Sequence, residues 1–393
     1  MRDYQMVVLD VAAGGAMETQ SGSQMVRPRI YGALAGPRQG RIGAIVMHPT
    51  SNFMDHMLME PFAKAGIGLL GLNTRYLGND SVLIMERAIQ DLGAGVQFMR
   101  QRFDTVFLIG HSGGAALTSF YQAQAERLTI RDTPVGDPID LKPADLPPAD
   151  GIVLLGAHIG RSRLLRDWMD ASLTDESDPL SRDPALDIYD PANGPPFTEN
   201  FLERVRAAQN ARSERITAWV KNRLNFLRAL PGGPRDAPML VYRTYADPRF
   251  VDLTVDANDR AAGGNRGSSG GNGAREMNYG VNSLGRYTSL TAWMSQWSSE
   301  SRADGPENMA KTSVPVLHFE LSADGSVFPS AIREWSGAIR AHGREDREEF
   351  HRIAHGTHYL KEQPALIERI TEISLACAKK LPAREKPSTG ESL

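Results

Sequence analysis

The sequence predicts an α/β protein: a mostly parallel central sheet with helices on both faces, interrupted by one large, mainly helical insertion. Three observations predict it. Short continuous apolar runs of strand length recur at Arg41–Met47, Ile67–Asn73, Thr105–Ile109 and Gly151–Ala157, as expected for strands buried on both faces. Segments of helical period alternate with them, which is the pattern of parallel strands joined by crossover helices. The rhythm stops after Ala157 and resumes at Val314, leaving about 150 residues where a connection normally takes a handful.

Residues Tyr4 to Ala35 alternate weakly between apolar and polar and are broken by Gly and Ser, as in a hairpin or two. After the strand 41–47 comes a loop, His48 to Asn52, then a helix, Phe53 to Ala65, stopped by Gly66. Ser81 to Phe103 carries Leu83, Ile84, Ala88, Leu92, Val96 and Met99 at helical spacing. A further helix is predicted over Ala115 to Leu128, and a Pro- and Asp-rich excursion over Thr133 to Ala149. Within the insertion, Glu199 to Leu230 is a long helical stretch whose Phe201, Val205, Ala208, Ile216, Trp219, Val220 and Leu227 form a packing stripe. Gly263 to Gly273 reads as a flexible loop. The rhythm ends with a strand at Val314–Phe319, a helix at Pro329–Ala341, a strand at Glu349–Ile353, a helix at Pro364–Lys380 and a polar tail. The expected division is therefore a core of residues 1–160 and 311–380, an insertion of 161–310, and a tail of 381–393.

Composition narrows the function classes. The chain has 393 residues, of which 41% are hydrophobic and 23% charged, with a net charge of −3. That is ordinary for a folded protein, and the basic footprint of a nucleic-acid binder is missing. The single cysteine, Cys377, allows neither an internal disulfide nor a multi-cysteine metal site. Near the N-terminus, Asp3 and Asp10 and the lack of a basic stretch ahead of an apolar run do not fit a secretory signal. No run approaches the roughly 18 apolar residues of a membrane span. The expectation is a cytoplasmic protein with a small-molecule partner, without membrane or nucleic acid, and compatible with a homodimer.

Gly66, Gly68 and Gly71 spell G-x-G-x-x-G, but here a helix precedes and a strand follows. A dinucleotide fingerprint needs the reverse order, so no cofactor is expected. G-x-S-x-G occurs twice, at Gly110–Gly114 and at Gly267–Gly271. Only the first copy joins a strand to a helix, where the serine can occupy a sharp turn with its hydroxyl exposed at the sheet edge. Ser112 is therefore the candidate nucleophile.

A serine nucleophile needs a base, and the base needs a carboxylate. Asp247 and Asp324 both follow Pro-led apolar stretches, but only Asp324 leaves room for one helix and one strand before His358. His351 falls within the predicted strand, whereas His355 and His358 follow it; His358, just after Gly356 and Thr357, is the better-placed base. A zinc site from these three histidines would require a helix to bring two rings to one face, and no metal is expected. For the oxyanion, the amide of Gly113 would pair with one from the loop His48–Asn52. Pro49 has no N–H, which leaves Thr50, with Ser51 second. His48 either braces that loop or touches substrate. His111, beside the nucleophile, and Tyr279, Tyr287, Trp293 and Trp297 of the insertion are further candidates to contact a substrate, set against simple packing roles. Arg75, Arg243 and Arg249 are candidates to hold a substrate carboxylate or, equally, to brace the fold.

Together, the His48-Pro49 loop, Phe62–Gly66 leading into the strand that ends near Asn73, Gly110–Gly114, Ala323-Asp324 with Val327–Pro329, and Gly356–His358 resemble the α/β-hydrolase superfamily over nearly the whole chain outside the insertion. The resemblance implies nucleophile, acid and base at Ser112, Asp324 and His358, and a cap formed by the insertion after the sixth core strand. Pro49 departs from the Gly that many members carry. Ser at the turn sets aside the carboxylate-nucleophile chemistry of dehalogenases and epoxide hydrolases. What remains is a serine hydrolase of an ester-like bond (carboxylic ester, lactone or thioester), with a C–C bond hydrolase, an acyltransferase or a non-catalytic small-molecule binder as alternatives.

Overall fold

A computed structural model describes residues 4–12, 28–261 and 273–381. The glycine-rich segment up to 272, with the second G-x-S-x-G, and the tail from 382 lie outside them. An antiparallel pair opens the chain, β1 (Tyr4–Asp10) and β2 (Arg29–Ala35). The alternation follows as β3 (Gly40–His48), α1 (Met59–Lys64), β4 (Gly68–Asn73), α2 (Met85–Arg100), β5 (Phe103–Ser112), α3 (Gly114–Glu126) and β6 (Gly151–Ala157). The connection from β6 to the next core strand holds α4 (Arg161–Trp168), α5 (Glu199–Ala229), β7 (Pro238–Leu240), α6 (Pro248–Val251), α7 (Ala274–Tyr279), β8 (Tyr287–Ser289), α8 (Leu290–Ala292) and α9 (Gly305–Met309). The chain closes with β9 (Val316–Leu321), α10 (Pro329–Ile339), β10 (Glu348–Ile353) and α11 (Pro364–Lys380).

Eight strands form one sheet in the order β1-β2-β4-β3-β5-β6-β9-β10. β1, β2 and β4 pair antiparallel, and every pair from β4 to β10 is parallel. Period-2 alternation sorts the strand residues between two faces. Ile45, Met47, Leu70, Leu72, Val106 and Leu108 pack with α2 and α3. Ala44, Val46, Leu69, Phe107, Ile109 and Phe319 pack on the other face, with Phe62 of α1 and Ile370 of α11. Each fully buried side chain of this size stabilises the fold by about 1.5–3 kcal/mol relative to an exposed one.

The chain visits β4 on one side of β3 and then β5 on the other. In an open α/β sheet such a reversal leaves a crevice at the carboxyl ends of the strands. His48 ends β3 and Ser112 ends β5, so both stand at that crevice.

The β6–β9 connection has cores of its own. Val220, Leu224 and Leu227 of α5 pack on Trp293, Met294 and Trp297, while Trp168, Tyr245 and Phe250 form an aromatic cluster with Phe328 from the loop after β9. α9 instead contributes Met309 to the layer holding Ala115, Trp335 and Ile339, so the last residues of the connection sit on the sheet's own helices. Three local expectations differ. The helix expected from Phe53 begins only at Met59, because the chain from Phe53 to Leu58 turns back on itself through Asn73, whose side chain accepts the Phe53 amide. Trp219 is 54% exposed rather than part of the α5 stripe. Trp293–Trp297 forms a π-helical turn instead of continuing α8 as an α-helix.

Candidate active site

β5 ends in Ser112, and α3 begins within two residues. The turn is tight enough to force Ser112 to φ 56°, a region that non-glycine residues occupy only when surroundings hold them there. The flanking glycines permit the approach. A methyl group on Gly110 would lie 2.6 Å from Ala115 Cα, and one on Gly114 would lie 2.3 Å from the Met47 carbonyl oxygen.

Asp324 follows β9 and His358 follows β10. Their loops are tied together, since Ser322 N donates to Ile353 O and Ala323 N to Gly356 O. His358 Nδ1 donates to Asp324 Oδ2 at 2.8 Å, and Ser112 Oγ donates to His358 Nε2 at 3.0 Å. The Ser326 and Val327 amides both donate to Asp324 Oδ1. Burial alone would push the Asp324 carboxyl up, but His358 and these two amides outweigh it and hold it below the ordinary range. The three residues named from the sequence are thus brought together in one hydrogen-bonded line. Asp247 is elsewhere, capping α6 and paired with Arg206 and Arg249. His351 lies on β10 beside Glu349, and His355 is exposed in the following loop.

A second line of histidines supports His358 from beneath. The carbonyl of His358 can only accept, so His111 Nε2 donates to it at 3.0 Å and leaves His111 Nδ1 to accept from His56 Nε2 at 2.9 Å. His56 Nδ1 in turn accepts from the Leu58 amide. Burial depresses His56 to about 3 and takes His111 well below its ordinary value, so the chain of three donors runs through neutral rings. His111 therefore braces the His358 backbone and does not line the cavity above Ser112.

The loop after β3 departs from expectation. The Thr50 amide, expected to face an oxyanion, donates to His48 Nδ1 at 3.1 Å, and the Ser51 amide donates to the same nitrogen at 2.8 Å. Pro49 supplies no N–H, and its carbonyl is fixed by the Thr74 hydroxyl at 2.6 Å, so the next two amides turn inward onto the imidazole. Burial first, then the Arg161 charge, hold His48 well below its ordinary pKa. Neutral and accepting at Nδ1, it carries its proton on Nε2. That nitrogen stands against Gly113: a methyl added there would lie 2.7 Å from it.

Ser112, Gly113, His48 and His358 open into a cavity of about 250 Å³, at the small end for ligand sites. Trp297 lines it as expected. Trp293 does not: it is buried against α5, its indole N–H donating to Thr217 Oγ1 at 3.0 Å. Tyr287 does not either, standing 52% exposed on β8, while Tyr279 lies under the Arg243 guanidinium. None of the three arginines considered from the sequence lines the cavity. Arg75 is paired with Asp91, Arg243 with Asp170 and Arg249 with Asp247.

Sequence reasoning missed much of the lining, including His158, Arg161, Tyr245 and Tyr359. His158 and Arg161 come just after β6, a strand end adjacent to that of Ser112, and this position was the signal available. Burial depresses His158 to about 3, so it is neutral beside His358. Among the described residues, no group of three His, Cys, Asp or Glu is placed to hold a metal ion, and no helix is long and apolar enough to cross a membrane.

No protein-family model matches the chain, and no curated protein matches it in sequence. Solved structures do. It is similar to DcsB, determined in complex with its substrate analogue, at 14% identity and a TM-score of 0.50, covering 97% of this chain and 100% of that one. A Pyrococcus furiosus esterase matches at 10% identity and a TM-score of 0.46, covering 96% of this chain and 91% of that one. The esterase domain of a Rhodothermus marinus protein matches at 12% identity and a TM-score of 0.44, covering 96% and 99%. With a mostly parallel eight-stranded sheet, a strained serine turn between β5 and α3, and an aspartate and a histidine after the last two strands, the chain has the α/β-hydrolase fold.

Proposed function

We propose that the protein is a serine hydrolase that cleaves an ester-like bond of a small molecule (a carboxylic ester, lactone or thioester) through an acyl-enzyme. The observation that carries this reading is the unbroken line from Ser112 Oγ through His358 to Asp324 at the floor of a small cavity. Ser112 Oγ attacks the acyl carbon as its proton passes to His358 Nε2, and the Asp324 carboxylate stabilises the imidazolium so formed. The developing oxyanion is received by the Gly113 amide at the start of α3 and by the His48 Nε2–H, a side-chain donor in place of the Thr50 amide. His358 then returns the proton to the leaving oxygen or sulfur, and water attacks the acyl-enzyme by the same route. α4 and the segments that follow it act as a cap over the cavity, contributing Arg161, Leu164, Trp168 and Trp297 to its wall.

Turnover of short-chain 4-nitrophenyl esters and of an acyl thioester, compared between the wild type and Ser112→Ala, tests the reading. The expected result is hydrolysis by the wild type and a loss of about 10⁴-fold or more in the variant with an unchanged melting temperature. A variant as active as the wild type overturns it.

A further inference from the structure

Arg161, the first residue of α4, is only 6% exposed yet lines the cavity above Ser112. Two of its nitrogens are held: Nε donates to Gln296 Oε1 at 2.9 Å and Nη2 to Asp80 Oδ2 at 3.0 Å. Its guanidinium carbon lies 4.1 Å from the centroid of the Trp297 ring, a stacking arrangement that fixes the plane. Nη1 has no partner among the described residues. Among the described residues, Arg161 is also the only Arg, Lys, Asp or Glu in the cavity wall, and burial holds His48 and His158 neutral.

A buried cation ordinarily has its donors satisfied. Here three contacts immobilise the guanidinium and leave three of its five N–H groups, both on Nη1 and one on Nη2, unanswered in a cavity whose described wall holds no other Arg, Lys, Asp or Glu. Burial works against the charge, and Asp80 offsets only part of that effect. This pre-organised fork matches the geometry of a carboxylate. We propose that the cavity takes an ester-like substrate bearing a carboxylate a few bonds from the scissile carbonyl, and that Arg161 Nη1 receives that carboxylate.

The proposal rests on the reading of Ser112 as nucleophile, and its test separates the two. The kcat/KM ratio of a charged ester to its neutral analogue is measured for the wild type, Arg161→Met and Arg161→Lys. One pair, the 4-nitrophenyl half-ester of glutarate against 4-nitrophenyl pentanoate, puts the carboxylate on the acyl half. The other, 4-acetoxybenzoate against its methyl ester, puts it on the leaving half. In at least one pair the ratio is expected to fall about 10- to 100-fold in Arg161→Met and to recover in part in Arg161→Lys. Unchanged ratios in both pairs overturn the proposal. Independently of turnover, calorimetric binding of glutarate to the full chain carrying Ser112→Ala should weaken at least about 10-fold on adding Arg161→Lys or Arg161→Met. If no ester is hydrolysed but glutarate binds through Arg161, the nucleophile assignment fails and the carboxylate site stands. If esters are hydrolysed and glutarate binding ignores Arg161, the carboxylate site fails alone.

Discussion

His48 and Gly113 fit against each other so closely that a methyl group at 113 would lie 2.7 Å from His48 Nε2. Both neighbouring amides that could have faced an oxyanion are given to the opposite edge of the same ring. The imidazole is thereby locked with its N–H toward the nucleophile turn.

This arrangement predicts that His48→Ala lowers kcat about 10²-fold with little change in KM. His48→Gln, which keeps a side-chain N–H, should retain more of the rate. The measurement is steady-state turnover of one activated ester by the three proteins. An undiminished kcat in His48→Ala would return the oxyanion role to the loop amides.

Asp324 fixes the tautomer of His358. In Asp324→Asn the Ser326 and Val327 amides hold the side-chain oxygen, so the NH2 faces Nδ1 and selects the wrong tautomer, and kcat should fall about 10⁴-fold while thermal stability stays close to the wild type. A variant retaining a tenth of the wild-type kcat would show that His358 is oriented by other contacts, with the His111 bond to its carbonyl the first to examine.

The hydrogen-bonded line of Ser112, His358 and Asp324 was legible because each member carries a local signal: a strand-to-helix G-x-S-x-G, and an acid and a histidine after successive late strands. The alternating core strands were legible from their apolar runs for the same reason. The conformation of the loop after β3 was not. Excluding Pro49 on chemical grounds was sound, but which of the remaining amides is free depends on the Thr74 hydroxyl pinning Pro49 O and turning the chain onto His48, a contact between residues 25 positions apart. The insertion was least legible. Arg75, Arg243 and Arg249 look as available in sequence as Arg161, and only the fold reveals that each of the three has a buried or nearly buried acidic partner. Trp293 and Tyr287 were misplaced because a π-helical turn rotates Trp293 toward α5 and a short strand carries Tyr287 outward.

Arg243 and Asp170 pair at 2.7 Å, both buried. Arg243→Met leaves the carboxylate of Asp170 without its counter-charge, and the expected loss is about 3–5 kcal/mol of unfolding free energy, read by urea denaturation. A substrate-binding arginine would give the opposite signature, a raised KM at unchanged stability.

Glu86 is buried beside the π-helical turn, accepting from Ser295 Oγ at 2.6 Å, and burial pushes its carboxyl up to about 7 from an ordinary 4.5. Between those two values the unfolded chain has released the proton and the folded chain still holds it. Stability from this group is therefore full below about pH 4.5 and declines as pH rises toward 7. Glu86→Gln has no such proton to lose. Between pH 5 and pH 8 the wild type should lose about 2 kcal/mol more stability than the variant, as read from paired denaturation curves. Parallel pH profiles for the two proteins would remove Glu86 as the titrating group.

Ser112 as an activated nucleophile is checked most directly by intact-mass analysis after treatment with a fluorophosphonate. One covalent adduct is expected on the wild type, mapped to Ser112, and none on Ser112→Ala under the same conditions. An adduct that persists on Ser112→Ala, or a wild type that stays unmodified while hydrolysing an ester, would contradict it.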